Sequence, residues 1–356
     1  MEQFHNAPTN KRYEELDSLR GIAALLVVFF HFTLGRSEYN TFFKLGTTGV
    51  DLFFIISGFV IFMSLQKTSK GLDFVINRVS RLYPTYWAAV SFTFLILLLA
   101  AIYKGQPNLS ELGLKFIGNL TMFQFYLGIP NLDGPYWTLK IEMLFYISIL
   151  ILFSLKWLRF LNGIGVFLCL TTVLVTQYFY DQKIVGVVLW FIPLFQFIPL
   201  FFAGTIFYKI STDKNQLIYK YFLVILCLLC QILLFPYVGE SKRYISWTEY
   251  NVMLVVYFVL FALFVNNGLK FIVNKTTLFF GKISYALYLL HQCISLNFII
   301  PFFYDKLGIN FWVVTIFIDL PLIVGLASFI TYKIEVPYSR KMKEKLRTAM
   351  AFRSAV

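Results

Sequence analysis

Long apolar segments dominate this chain and limit the folds open to it. Ten such segments lie at 20–35, 48–65, 82–103, 138–155, 161–179, 184–208, 219–236, 248–266, 277–300 and 311–332. A membrane-spanning helix needs about 20 mostly apolar residues. The chain is 59% hydrophobic and only 14% charged, whereas soluble domains are about 25% charged. We therefore predict an all-α, polytopic membrane bundle of about ten transmembrane helices.

The distribution of Lys and Arg predicts the orientation of this bundle. A weaker run at 113–128 is short and is broken by two glycines and an asparagine. If it stays outside the membrane and the amino terminus is cytoplasmic, 22 of the 31 Lys and Arg residues lie inside, as the positive-inside rule requires. Counting it as a span would place the basic carboxyl-terminal segment outside. We therefore expect both termini in the cytoplasm and an outer loop at 104–137 that contains a half-buried or interfacial element.

The same reasoning gives the domain organisation and explains the net charge. We expect a cytoplasmic tail at 1–15, a membrane domain at 16–337 and a basic cytoplasmic tail at 338–356. The net charge of +13 follows from cationic residues at the inner ends of membrane helices. The expected partners are therefore membrane lipids, and nucleic acid is not among them.

One apolar segment carries two ionisable residues at a regular spacing. Residues 16–32 read LDSLRGIAALLVVFFHF, so Arg20 and His31 are eleven positions apart. Eleven residues make about three turns of helix, which places both side chains on one face, about 16 Å apart along the axis. That face has to meet polar groups inside the protein, since ionisable side chains facing lipid are costly.

Arg20 shares the predicted cytoplasmic level with two other arginines. Arg78 and Arg81 precede the third predicted helix at positions i and i+3, so they share a face. Guanidinium forks suit phosphates, and the three residues together can hold an anionic ligand that enters from the cytoplasm. The alternative is a positive-inside signal with snorkelling side chains.

A second group of ionisable residues lies at the predicted outer level. Its members come from five different helices and are His31, Asp51, Glu142, His291 and Asp319. Each alone could be a satisfied interior group, but partners at one level lower each other's burial cost. Histidine exchanges protons near neutral pH, and a nearby carboxylate can orient it. The group therefore indicates proton-transfer chemistry or proton transport.

Two other features have ordinary structural explanations. Tyr136 and Trp137 lie at the predicted outer interface, where they could stack on a sugar, although aromatic belts are common at that depth. Cys227 and Cys230 form a C-x-x-C pattern with two leucines between them and no His or carboxylate nearby. We therefore expect no metal site.

Six segments in order resemble the membrane-bound acyltransferase-3 family. They are LDSLRGIAALLVVFFH, GVDLFFIISGFVIF, RVSRLYPTYW, GPYWTLKIEMLFY, FGKISYALYLLH and IEVP, and they cover residues 16 to 337. The resemblance implies ten core helices, O-acylation of surface polysaccharides, peptidoglycan, lipopolysaccharide such as O-antigen, or small molecules, and cytoplasmic acyl-CoA, usually acetyl-CoA, as donor. It also implies a bacterial cytoplasmic (inner) membrane.

The family's motifs match individual residues of this chain. Its Arg-x10-His pattern matches Arg20 and His31, and its Arg-x-x-Arg pattern matches Arg78 and Arg81. Its glutamate after the Trp motif matches Glu142. The family often carries a second carboxylate directly after this glutamate, but Met143 stands there in this chain. Any role of that second carboxylate is therefore absent here.

The resemblance suggests a mechanism for these residues. The three arginines would hold the CoA phosphates, and His31 would take a proton from the acceptor hydroxyl while Glu142 or Asp51 orients the imidazole. Tyr136, Trp137, His291 and Asp319 are candidates for binding the acceptor. An acyl-enzyme route through His31 or Ser57 stays open.

Two other functions fit a polytopic bundle with buried ionisable residues. A proton-coupled transporter would use the same His and carboxylate residues as a relay. A glycan flippase or polymerase would also have many spans and many aromatic residues, but it would need no basic site for CoA.

Overall fold

The structure is a computed structural model that describes residues 13–105, 108–237 and 239–353, the last three of these without their side chains. Every regular element in these ranges is helical. The α-helices are α1 (Glu14–Phe32), α2 (Asn40–Phe43), α3 (Gly49–Gln66), α4 (Gly71–Tyr103), α5 (Leu109–Asn119), α6 (Trp137–Ser154), α7 (Leu161–Phe179), α8 (Lys183–Phe191), α9 (Ile198–Thr212), α10 (Leu217–Leu234), α11 (Trp247–Val265), α12 (Lys275–Ile294), α13 (Phe311–Val313), α14 (Leu320–Ile330) and α15 (Val336–Arg353).

Shorter helical turns connect these helices or extend them. The 3₁₀ turns span Lys44–Thr48, Gln124–Leu127, Gly134–Tyr136, Trp157–Phe160, Pro193–Phe197, Ser241–Arg243 and Lys270–Ile272. The wider π-helical turns span Ser295–Ile299, Pro301–Lys306, Val314–Asp319 and Thr331–Glu335. Such π turns occur frequently at functional sites.

The all-α membrane bundle predicted from the sequence is confirmed. Among the described residues, nine helical segments are long and apolar enough to cross a membrane. They coincide with nine of the ten predicted runs. The tenth run is the apolar part of α1, which begins with Glu14, Glu15 and Asp17. Arg20 and His31 lie on this one helix, as their spacing predicts.

One run differs in detail from the sequence-based expectation, and the weaker run agrees with it. The run at 184–208 is interrupted at Pro193, because a proline restricts the residue before it. Ile192 takes φ −118° and ψ 71°, so α8 ends at Phe191 and a separate span follows. In the weaker run, α5 has only 11 residues, which is about 16 Å and too short to cross a bilayer.

The chain divides into two compact units, which are described separately. Unit 1 comprises residues 1–23, 48–74 and 145–281. Its α3 and α9 approach each other closely at Gly58 and Gly204. A Cβ atom on Gly58 would collide with the carbonyl of Phe201, and one on Gly204 would collide with the carbonyl of Ile55. Small residues allow this backbone contact, which strengthens van der Waals packing where lipid supplies no hydrophobic driving force.

Unit 2 comprises residues 24–47, 75–144 and 282–356. Its loop after α5 is ordered by the buried side chain of Asn119. The amide of Asn119 donates to the carbonyls of Lys115 at 2.8 Å and Pro130 at 3.0 Å, and its oxygen accepts from the N–H of Leu132 at 3.0 Å. These bonds fix the backbone that leads into residues 133–138.

Gly204→Ala should destabilise the protein, because the added methyl group meets backbone that has no room to move. Overpacking of this kind costs about 1–3 kcal/mol. The matched control is Gly163→Ala in α7, where a Cβ atom would meet nothing within 4 Å. Thermal unfolding in detergent should show a lower midpoint for Gly204→Ala than for Gly163→Ala. Equal midpoints would contradict the close packing of α3 and α9.

Candidate functional site

Two histidines of unit 2 form a hydrogen-bonded pair. Nε2 of His291 lies 3.0 Å from Nδ1 of His31, and the ring centroids are 4.8 Å apart in an edge-to-face arrangement. His291 is fully buried, whereas His31 is partly exposed. The structure therefore brings together two residues that the sequence placed at the same depth on different helices.

Backbone carbonyls determine which ring nitrogens carry the protons. Nδ1 of His31 lies 2.9 Å from the carbonyl oxygen of Val27. Nδ1 of His291 lies 3.1 Å from that of Leu287 and 2.9 Å from that of Tyr288. A carbonyl oxygen only accepts, so the tautomer inferred from these partners has a proton on Nδ1 of both rings.

This tautomer assigns a donor and an acceptor within the pair. Nε2 of neutral His291 accepts from the Nδ1–H of His31, which is shared with Val27. Nε2 of His31 then carries a lone pair. A proton taken up there leaves the imidazolium hydrogen-bonded to His291, in the position that an aspartate occupies in a Ser-His-Asp triad. His31 is therefore arranged to act as a base.

Tyr288 connects the histidine pair to α6. Its ring centroid lies 6.0 Å from that of His291, and its hydroxyl is 2.8 Å from the hydroxyl of Thr138. Glu142 is one helical turn beyond Thr138 on α6 and acts electrostatically on Tyr288. Glu142 thus lies near Tyr288, whose ring in turn lies near that of His291.

Asp319 lies in the π turn Val314–Asp319 and is fully buried. Its Oδ1 accepts a hydrogen bond from the hydroxyl of Ser295 at 2.9 Å. Within the described part of the chain, its Oδ2 meets no hydrogen-bonding partner. Ser295 follows His291 by four residues, so the structure connects Asp319 to the helix that carries the second histidine.

Asp51 belongs to a buried hydrogen-bonded cluster of unit 1. Its Oδ1 accepts from the hydroxyl of Tyr250 at 3.3 Å, and that hydroxyl also accepts from the amide of Gln231 at 3.2 Å. The hydroxyls of Thr48 and Tyr257 are 2.8 Å apart in the same unit. These contacts surround Asp51 with tyrosines of α11, and the catalytic role assigned to it from the sequence stays a prediction.

Arg20 lies near the start of its helix as expected, whereas Arg78 and Arg81 lie within α4, which begins at Gly71 and so extends further than the apolar run that predicted it. Arg20 lies in the first turns of α1, within unit 1. In unit 2, Arg78 is buried and Arg81 is partly exposed, one turn apart on α4. The phosphate-binding role of all three stays a prediction.

The two aromatic candidates differ in burial. Tyr136 is fully buried, with its ring 5.3 Å from that of Tyr86 and its hydroxyl 3.4 Å from that of Thr93. A ring packed in this way has no free face for a sugar. Trp137 is only partly buried and is the better candidate for stacking.

Sequence reasoning missed Asp133, Tyr288 and Thr138. Asp133 directly precedes the GPYWT segment, and its side chain is buried in unit 2. An Asp before Gly-Pro is an ordinary turn signal, so this pattern did not predict a buried carboxylate. Nothing in the sequence around Tyr288 or Thr138 indicates a functional residue. Their contact becomes evident only once α6 and α12 are seen to pack together at these positions.

Comparison with known proteins decides the family. The model of a protein family described as an acyltransferase domain matches residues 13–332. The chain belongs to the acyltransferase-3 family. No solved structure matches it. The resemblance found in the six sequence segments is thereby confirmed over nearly the whole chain.

Several relatives in this family have names that state a transfer activity or a pathway. The chain is 26% identical over 298 residues to the putative acetyltransferase ORF330 of Acidianus two-tailed virus, which covers 79% of this chain and 83% of the relative. It is 32% identical over 112 residues to the exopolysaccharide production protein ExoZ of Rhizobium meliloti, covering 29% and 33%. It is 29% identical over 155 residues to the putative membrane-bound transacylase BcsY of Komagataeibacter xylinus, covering 41% and 38%.

These findings make the chain a multi-pass membrane protein of an acyltransferase family. Within the described ranges, no three His, Cys, Asp or Glu side chains are grouped as a metal ion would require. The described cysteines are all buried and free of disulfides, including Cys227 and Cys230.

Proposed function

We propose that this protein is an O-acetyltransferase that moves an acetyl group from cytoplasmic acetyl-CoA to a hydroxyl of a surface glycan or lipid-linked sugar. The acceptor would be met at the extracytoplasmic face of a bacterial cytoplasmic membrane. The observation that carries the proposal is the histidine pair, because it leaves a basic nitrogen on His31 in an acyltransferase-family protein. The names of ORF330 and ExoZ support an acetyl donor and a polysaccharide acceptor, respectively.

His31 acts as the general base in the proposed reaction. Its Nε2 takes the proton of the acceptor hydroxyl while that oxygen attacks the thioester carbonyl. A carbon–oxygen bond forms, the carbon–sulfur bond breaks, and the proton passes from His31 to the departing CoA sulfur. General-base assistance of this kind contributes roughly 10²–10⁴-fold to the rate.

His291 stabilises the cationic form of His31 in this scheme. Its Nε2 accepts from Nδ1–H of His31 before and after the proton is taken up, and the carbonyls of Leu287 and Tyr288 hold its other nitrogen. A hydrogen bond whose donor is ionised is stronger than a neutral one. The bond therefore strengthens as charge develops on His31, which favours the transition state.

We assign Glu142 and Tyr288 to the proposed catalytic group, because the ring of Tyr288 lies 6.0 Å from that of His291. The carboxylate of Glu142 is within electrostatic range of Tyr288 and would stabilise positive charge nearby. Trp137 would present its ring to a sugar, and Asp319 would offer its unpartnered oxygen to a sugar hydroxyl. Both residues belong to unit 2 with the histidine pair.

Arg78 and Arg81 are the residues of unit 2 that we assign to the donor. The two residues lie three positions apart on α4, a spacing at which two long side chains can reach one diphosphate group. Arginine forks bind phosphate oxygens in pairs. With the predicted cytoplasmic termini, this part of α4 faces the compartment that supplies acetyl-CoA.

His31→Ala should lower the rate of acetyl transfer roughly 10²–10⁴-fold, because the general base is lost. The assay is transfer of labelled acetyl from acetyl-CoA to glycan by purified protein in liposomes. The matched control is His5→Ala, whose position lies outside the described residues and in the predicted tail. Unchanged transfer by His31→Ala at wild-type expression would contradict the proposal.

Arg81→Ala should raise KM for acetyl-CoA about 10- to 100-fold and leave kcat nearly unchanged, since a charge-assisted contact to phosphate contributes about 1.5–3 kcal/mol. Arg81 is chosen because it is partly exposed, so its loss should not prevent folding. Arg340→Ala is the control, because Arg340 is exposed and paired with Glu344 on α15. A flippase or polymerase would show no dependence on acetyl-CoA in either variant.

A further inference from the structure

The carboxylate of Asp133 joins a loop to the helix that carries His291. Asp133 lies just before the span Gly134–Ser154 and is buried. Its Oδ1 accepts from the N–H of Gly134 at 2.7 Å, and its Oδ2 accepts from the N–H of Cys293 at 3.2 Å. Cys293 follows His291 by two residues on α12.

Two further contacts hold the same loop against α12, one with Tyr288 and one with Gln292. The carbonyl oxygen of Pro135 lies 3.1 Å from the hydroxyls of both Tyr288 and Thr138. Gly134 packs so tightly on the side-chain amide of Gln292 that a Cβ atom at this position would collide with it. Residues 133–138 therefore contact α12 on both sides of His291 along the chain.

We propose that Asp133 is a positioning residue of the acyl-transfer site, because its carboxylate fixes the turn of α12 that presents Nε2 of His291 to His31. The inference rests on the proposed function and deepens it. The ring of His291 follows the backbone of its own turn, since its Nδ1 is bonded to the carbonyls of Leu287 and Tyr288. A shift of that turn moves Nε2 away from His31.

The two bonds of Asp133 are strongest with an ionised carboxylate. Both of its oxygens face an N–H donor, and only a carboxylate accepts at both oxygens without carrying a donor of its own. An asparagine amide would turn a donor toward one of the two N–H groups, and a protonated carboxyl group would offer one of them a weaker, uncharged acceptor. Charge-assisted bonds of this kind are also the stronger ones.

We call the bonds from the Asp133 carboxylate to the N–H groups of Gly134 and Cys293 the clamp. Because the clamp is strongest when the carboxylate is ionised, it is sensitive to pH near neutrality. Burial raises the pKa of Asp133 to about 7, although the N–H groups of Cys293 and Gly134 act in the opposite direction. The bonds are therefore complete above pH 7 and weaken as the pH falls through 7. The titratable groups that face Asp133 are Tyr136, Tyr288 and Cys293, whose side-chain types ordinarily titrate at about 8.5 or above.

The first test is the pH profile of acetyl transfer between pH 5.5 and 8.5 for wild type, Asp133→Asn, Asp133→Glu and Asp181→Asn. We expect Asp133→Asn to lose about tenfold in kcat above pH 7, to approach wild type near pH 6 and to keep the wild-type KM for acetyl-CoA. Asp133→Glu keeps an ionisable carboxylate and should retain a step in the profile. Asp181 is exposed, so its variant should behave as wild type.

The second test does not depend on activity. Hydrogen–deuterium exchange of wild type in nanodiscs, corrected for the intrinsic effect of pH, should show the Cys293 amide exchanging faster at pH 6 than at pH 8. Asp133→Asn should exchange about tenfold faster than wild type at pH 8, and Asp181→Asn should not. A wild-type amide whose protection is the same at both pH values would overturn the clamp, even if Asp133→Asn fails to fold.

The two tests separate the two proposals. If the wild type transfers acetyl but Asp133→Asn keeps the wild-type pH profile and protection, the role of Asp133 is wrong and the proposed function stands. If the wild type transfers no acetyl but the Cys293 amide loses protection in Asp133→Asn, the clamp stands and the proposed function is wrong.

Discussion

A hydrogen bond between two imidazoles inside an apolar bundle sets the conditions for the rest of the site. Hydrocarbon offers no partner to a polar atom, so a fully buried ring nitrogen has to find its partner within the protein. The carbonyls of Val27, Leu287 and Tyr288 are the partners of the Nδ1 atoms. They thereby fix both tautomers and leave one lone pair, on Nε2 of His31, for chemistry. The chain belongs to an acyltransferase family, and we propose that this lone pair acts as the base in its reaction.

The sequence predicted the fold class well, because membrane helices are specified by local composition. Nine of the ten predicted runs form segments that fit a bilayer, and the remaining run forms most of α1. The break at Pro193 was missed because a long apolar run hides a proline whose only effect is on the preceding residue. The division into two units was also missed, since it depends on contacts between segments far apart in the chain.

The site was predicted in part. The placement of Arg20 and His31 on one helix follows from helical periodicity, and the shared depth of His31 and His291 follows from their positions within their apolar runs. The partner of His31 does not follow from periodicity. A carboxylate was expected to orient the ring, but the structure places Val27 and His291 at its Nδ1. Asp133 and Tyr288 were missed for the same reason. Their roles arise only when residues about 150 positions apart come into contact.

The proposed role of His31 as a base depends most directly on its tautomer. Nitrogen-15 NMR of histidine-labelled protein in nanodiscs measures which ring nitrogen carries the proton. The chain has only 3 histidines, so each ring can be assigned by substitution. We predict that above neutral pH both His31 and His291 carry their proton on Nδ1, so that Nε2 of His31 is unprotonated. A spectrum showing His31 protonated on Nε2 would contradict this prediction, because the ring would then have no lone pair to offer the acceptor hydroxyl.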